Sequence, residues 1–229
     1  AALTPETAGI LIEPIQGESG IRPVPPSFLA FLRRVCDEHG LSLVFDEVQC
    51  GVGRSGRLWA YELSGVAPDI LATAKGIGGG FPLGACLATE AAAAGMTPGT
   101  HGSTFGGSLL AMAVGDAVLE VILEDGFLEA VAQKGLRLKQ KLAAVTDLYP
   151  DVFETVRGEG LMLGLKCRRP VGEVLAAMRG EKLLAVAGGD NVARFLPALT
   201  VSDAEIDEAV ARTEAAARSL IQAEKGAAA

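Results

Sequence analysis

The chain has 229 residues, 49% of them hydrophobic, with 28 acidic against 20 basic side chains and a net charge of −8. That length suits one large domain or one and a half ordinary ones, and the acidity excludes a basic stripe able to neutralise nucleic-acid phosphates. No apolar run approaches the roughly 20 residues of a membrane span, no signal peptide is read in Ala1–Thr7, and Cys36, Cys50, Cys86 and Cys167 are scattered as free thiols of a reducing cytosol would be.

The pattern predicts a short buried strand over 8–12, ended by Glu13-Pro14, and a loop over 15–21. Pro25 and Pro26 open a helix with Phe28, Leu29, Leu32, Val35 and Cys36 on one face and a stop at Gly40. A strand over 41–45 follows, and strand, helix, strand predicts a right-handed crossover in a parallel sheet. A glycine-rich loop over 51–56 and a helical piece near 58–63 lead to a strand over 70–73. After Gly76–Gly80 come a strand over 84–88, an alanine-rich surface segment over 90–95 and a loop over 100–107. The helix over 108–123 is apolar nearly all round and is expected to be buried. Beyond Gly126 the pattern gives an amphipathic helix over 127–148, short strands over 152–156, 161–167, 183–187 and 192–195, and helices over 171–178 and 203–220. Ser202 and Glu205 form a capping box for the last helix, and 226–229 reads as a frayed tail. The expected architecture is α/β over 1–125, with a mostly parallel sheet, followed by a connecting helix and a small α+β domain over 126–229.

The chemistry gathers at two strand ends. Leu43–Phe45 and Ile70–Thr73 read as neighbouring parallel strands, apolar on both faces. Asp46 closes the first and Lys75 lies just past the second. Ligands of open α/β sheets bind outside the carboxyl ends of the strands, so both charges should face one crevice. Pyridoxal phosphate requires this pair, a lysine for its Schiff base and an acid for its pyridinium nitrogen. Taken singly, such an acid is more often a turn-former and such a lysine more often solvated. The apolar strand before Lys75 and the glycines after it place the amine in a backbone-lined hollow, where desolvation would lower its pKa. Gly76–Gly80 matches neither the dinucleotide fingerprint nor the P-loop. Glu47, Val48 and Gln49 share the loop beyond Asp46. Val48 offers an apolar surface and Gln49 a donor to a ring oxygen, although ordinary loop packing explains both equally. Ser103 and Thr104, before a helix, suit a phosphate dianion or plain capping. Arg194, inside an apolar strand, demands a partner or a carboxylate ligand. Glu18 is its candidate partner, and a structural ion pair is the equal alternative. No residues are assigned to a metal.

The segments Ile12–Gly20, Phe45–Arg54, Ala74–Gly76, His101–Gly107, Val156–Leu161 and Ala193–Pro197 together resemble the class III (subgroup II) pyridoxal-phosphate aminotransferases of fold type I, over essentially the whole chain. Asp46 and Lys75 are 29 positions apart (75 − 46), the separation expected of that family. The resemblance implies that Lys75 is the Schiff-base lysine and proton shuttle, that Asp46 is the pyridinium partner, and that Glu47, Val48 and Gln49 line the cofactor. It implies that Thr104 reaches the phosphate of a neighbouring subunit's cofactor and that Ser103 lies near the substrate. Arg194 would clamp a 2-oxoglutarate carboxylate, with Glu18 as its switchable partner. The implied protein is a cytoplasmic homodimer of arginine biosynthesis acting on N-acetylornithine and 2-oxoglutarate. Ornithine, succinylornithine and 4-aminobutyrate stay open as donors, as does an inactive fragment. Members of the family carry a further N-terminal part with a phosphate loop, a ring-stacking aromatic and a second substrate arginine. No counterpart to these is found here, so the chain is expected to be a carboxyl-terminal portion.

Overall fold

The structure is a computed structural model that describes residues 3–227, with side chains described to residue 224. The contacts divide the chain into two compact units, Ala1–Ile15 with Val24–Leu128, and Gln16–Pro23 with Glu129–Ala229.

The first unit begins with strand β1 (Gly9–Ile12). Two-residue strands β2 (Ile15–Gln16) and β3 (Arg22–Pro23) bracket the loop 17–21, which belongs to the second unit. Helix α1 (Pro26–His39) starts on a proline, whose fixed φ costs nothing at a position lacking an intrahelical partner. It ends where Gly40 turns left-handed and donates its N–H to the Cys36 carbonyl. Leu29, Leu32 and Cys36 lie on one face and pack with Leu43, Phe45 and Val66. Burying each leucine there is worth about 1.5–3 kcal/mol. Strands β4 (Ser42–Asp46), β5 (Ile70–Thr73) and β6 (Ala85–Ala88) complete a sheet of order β1-β4-β5-β6, parallel except for β6. Burial alternates along β4 and β5: Leu43, Phe45, Leu71 and Thr73 are buried, while Val44, Asp46, Ile70 and Ala72 are only half-buried. Strands expected to be covered on both faces are therefore fully covered on one.

Short helix α2 (Glu90–Ala93) precedes α3 (Leu109–Ile122). The expected burial of α3 is corrected. Only Ala111, Gly115 and Ile122 are buried, while Leu109 is 89% exposed and Leu110 63%. The face that packs is the one with small residues. A Cβ on Gly115 would stand 2.8 Å from the tip of the Leu83 side chain, so the helix lies close to the segment that leads into β6.

In the second unit, α4 (Phe127–Leu148) is followed by β7 (Phe153–Glu159), β8 (Met162–Cys167), α5 (Val171–Gly180), β9 (Val186–Gly188), β10 (Val192–Phe195) and α6 (Asp203–Ala227). The sheet runs β7-β8-β10-β9, antiparallel throughout. Its central strands are covered on both faces: Met162, Leu163 and Leu165 on β8 and Val192 and Ala193 on β10 are all buried. Strand β9 begins three residues later than the sequence suggests, because the Leu183 N–H returns to the Met178 carbonyl and closes α5. The capping box forms as expected: the Glu205 carboxylate accepts from the Ser202 N–H at 2.7 Å, and the Glu205 N–H donates to the Ser202 hydroxyl. Helix α6 extends through Ala227 into the predicted tail, whose last two residues lie outside those described. Ile21 explains why 16–23 joins this unit. It is fully buried, and the missing Cβ of Gly164 leaves room for it, since an added one would stand 3.0 Å from the Ile21 Cβ.

Candidate active site

The parallel register of β4 and β5 sets Asp46 opposite Ala72. Lys75 follows three residues later, about 10 Å of chain. Both charges thus leave the carboxyl ends of adjacent parallel strands, as the spacing predicts. The Asp46 carboxylate is oriented by its own loop, with Oδ1 accepting the Val48 N–H at 3.0 Å. Beyond it the chain passes through Val52, with φ at +53°, and Lys75 itself has φ at +48°. Left-handed backbone in a β-branched residue is a genuine outlier. Such strain costs on the order of 1–3 kcal/mol per residue and collects at functional sites. The two outliers lie together: a Cβ added at Gly76 would stand 3.3 Å from the Val52 Cβ. The loop after Asp46 therefore seats directly on the turn that carries Lys75. Nothing in the sequence announced Val52, because its residue type disfavours the conformation it takes.

Lys75 is exposed, which corrects the expected backbone-lined hollow. Strand β5 stops at Thr73, and a single turn over 75–78, with Gly79 left-handed at its end, lifts the side chain outward. Glu47 is held differently. Its carboxylate is fully buried and held by backbone amides. Oε2 accepts the Ala60 N–H at 2.6 Å and Oε1 the Tyr61 N–H at 2.8 Å, capping the turn Ala60–Leu63. Burial pushes its pKa up to about 7, against the pull of the two amides. Val48 and Gln49 are half-buried beside Asp46. Ser103 and Thr104 are exposed in a turn, four or more residues before the Ser108 N-cap of α3, so they do not stand at the helix start.

The second unit holds the other charged pair. Arg194, on β10, is buried with its side chain 8% exposed. Its Nε–H donates to the Ala187 carbonyl at 3.1 Å, and Nη1 donates to Glu18 Oε1 at 2.7 Å. The Glu18 side chain is 73% exposed. A buried cation is therefore paired with a largely exposed carboxylate. Arg194 also lines an open cavity of about 160 Å³ with Leu184, Val186, Leu196 and Pro197.

The first pair has the chemistry for pyridoxal phosphate. It offers an oriented carboxylate for a ring nitrogen, an accessible primary amine for an aldehyde carbon, and a strained turn fixing that amine's backbone. These residues fit the group.

The family profile of the class III aminotransferases matches residues 1–217. The chain belongs to that family, whose members are pyridoxal-phosphate-dependent enzymes. Among curated relatives, the acetylornithine aminotransferase of Mesorhizobium japonicum is 65% identical over 222 residues, 97% of this chain and 56% of that protein. The crystal structure of N-acetylornithine aminotransferase from Stenotrophomonas maltophilia matches with a TM-score of 0.85 at 36% identity, covering 94% of this chain and 57% of the other. An ornithine aminotransferase from Toxoplasma gondii, with partial occupancy of pyridoxal phosphate at its active site, matches with a TM-score of 0.88 at 30% identity over 95% of this chain and 52% of its own. The chain thus spans about half the length of the curated relatives it matches.

Proposed function

We propose that the chain carries the cofactor lysine and the acceptor clamp of an aminotransferase that moves the δ-amino group of N-acetylornithine to 2-oxoglutarate. The observation that carries this reading is the placing of Asp46 and Lys75 at adjacent parallel strand ends, in a chain 65% identical to a named acetylornithine aminotransferase. When bound, pyridoxal phosphate supplies an electron sink. Asp46, held by the Val48 N–H, keeps the ring nitrogen protonated. The Lys75 amine holds the cofactor and carries the proton at the carbon that loses or gains the amino group. Val48 and Gln49 would help hold the ring, and Thr104 would serve the phosphate of a neighbouring subunit's cofactor in a homodimer. Ser103 lies near the substrate. Glu18 neutralises Arg194 until the acceptor arrives, and a carboxylate of the 2-oxo diacid then replaces it as a bidentate partner. Glu47 takes no part through its side chain.

Ornithine is the second reading for the donor, favoured by the likeness to the Toxoplasma ornithine aminotransferase. Half-reaction rates of the full-length enzyme with N-acetylornithine, ornithine, succinylornithine and 4-aminobutyrate separate them, and a preference for any of the last three overturns the first reading. Borohydride reduction in the presence of pyridoxal phosphate tests the lysine. The phosphopyridoxyl mass is expected on the peptide of Lys75 and is lost in Lys75→Ala. A label spread over surface lysines would refute the assignment.

A further inference from the structure

The loop bearing Glu18 is fastened to the hairpin bearing Arg194 by a carboxylate that no step above uses. Asp190 lies at the tip of the β9–β10 hairpin. Its Oδ2 accepts from Arg22 Nη2 at 2.9 Å and from Arg157 Nη2 at 2.6 Å, and Oδ1 accepts from Lys166 Nζ. Arg157 is on β7 and Lys166 on β8, so the carboxylate is pinned to the sheet, while Arg22 comes from the end of the Glu18 loop. Arg22 is forked, its Nε–H donating to the Ser19 carbonyl one residue beyond Glu18. Asp190 and Asn191 both take φ of +56°, which their residue types tolerate. Asn191 ties the tip down further, accepting from the Val171 N–H and donating to the Cys167 and Arg169 carbonyls, each at 2.7 Å.

The loop itself rests on backbone. The Gly189 N–H donates to the Glu18 carbonyl at 2.7 Å. A Cβ on Gly20 would stand 2.3 Å from the Gly189 oxygen, and one on Gly188 3.1 Å from the Arg194 side chain. Three layers are stacked: the Glu18 loop, the two glycines, and Arg194.

We propose that Asp190 is a positioning residue for the Glu18–Arg194 pair, holding the loop through Arg22 so that the Glu18 carboxylate competes with the acceptor's carboxylate for the arginine. This rests on the reading of Arg194 as the acceptor clamp. Loosening the Arg22–Asp190 bond weakens the competitor and leaves Arg194 in place on the Ala187 carbonyl. The acceptor then binds more tightly.

The test is steady-state kinetics of the full-length holoenzyme carrying Asp190→Asn, Arg22→Gln or Glu18→Gln. Asparagine keeps the left-handed backbone, and the Arg22 side chain is half exposed, so Arg22→Gln keeps the test open should Asp190→Asn not fold. In both, KM for 2-oxoglutarate is expected to fall by up to about fivefold, the scale of a partly exposed ion pair. A smaller change is expected in kcat, and Glu18→Gln should shift KM in the same direction. An acceptor KM that falls in Glu18→Gln but not in the other two overturns the role of Asp190 and leaves the clamp reading standing. An acceptor KM unmoved in all three overturns both.

Discussion

Replacing Glu47 by glutamine tests whether a buried carboxylate beside Asp46 weakens the fold as pH rises. The wild-type group is fully buried between the Ala60 and Tyr61 amides, and burial lifts its pKa from 4.5 to about 7. Between those values the folded chain keeps a proton that the unfolded chain has released. Stability therefore falls as pH rises across this window, and the loss is complete above the folded value. Two and a half units at 1.36 kcal/mol each amount to about 3 kcal/mol. Glutamine has the shape of the protonated acid and does not titrate, so it escapes that loss. The stability of Glu47→Gln relative to wild type should thus improve by about 2.5 kcal/mol from pH 5 to pH 8, the rest of the loss having occurred below pH 5, whatever its offset at pH 5. Trp59 is the one tryptophan, and it lies at the start of the turn that Glu47 caps, its N–H donating to Glu62 at 2.8 Å. Urea unfolding followed by Trp59 fluorescence therefore reports on this unit. A difference that stays constant over those pH values would refute the assignment of a raised pKa to Glu47.

Three further outcomes follow from particular contacts. Gly135→Ala sets about 1 kcal/mol of gained helix propensity against a Cβ placed 2.3 Å from the Gly160 carbonyl oxygen. Backbone cannot swing aside, so a net loss of at least about 2 kcal/mol is expected in urea unfolding followed by circular dichroism, and a stabilised variant would contradict the packing of α4. Asn191→Ala leaves the Val171 N–H and two carbonyls without their 2.7 Å partner, a loss of about 2–4 kcal/mol on the same measurement. Arg194→Lys keeps the charge but gives up the planar fork, so in the full-length enzyme KM for the 2-oxo diacid should rise about tenfold or more, and an unchanged KM would remove Arg194 from the acceptor site.

How legible a feature was in the sequence depended on what positions it. Asp46 and Lys75 are placed by strands that end beside one another, and strand ends are written locally in apolar runs and breakers. The Ser202–Glu205 box was legible for the same reason. Arg194 could be read as needing a partner, because a charge in an apolar strand always does, yet its partner is 176 positions away. Only the motif around Glu18 suggested it. Glu47 and Asp46 are neighbours in sequence but not in environment. The strand's alternation sends the next side chain to the opposite face, and there the Ala60–Leu63 turn offered two unpaired amides.

The helix α3 shows where periodicity stops being informative. A helix apolar all round states a preference for cover, and burial also requires a surface shaped to receive it. Its leucines compete poorly for the turn that holds Lys75, since only small residues let the two backbones come close. Ala111 and Gly115 are buried, while Leu109 and Leu110 are left exposed. Gly79 makes the same trade from the other side, its missing Cβ leaving 2.9 Å to the Val118 methyl. The turn beneath Lys75 thus relies on missing side chains at Gly76 and Gly79, and an added Cβ at Gly115 would press the Leu83 side chain at 2.8 Å and touch the Ile77 carbonyl of that turn at 3.8 Å. The left-handed backbone at Val52 and Lys75 lies beside that turn, Val52 packing against Gly76. Restoring a methyl at Gly115 should therefore act on the lysine before it acts on the core. In Gly115→Ala the Lys75 adduct formed with pyridoxal phosphate and borohydride should fall, while unfolding followed at Trp59 moves by less than about 1 kcal/mol. A variant that loses stability and keeps its labelling would separate the packing of α3 from the placing of Lys75.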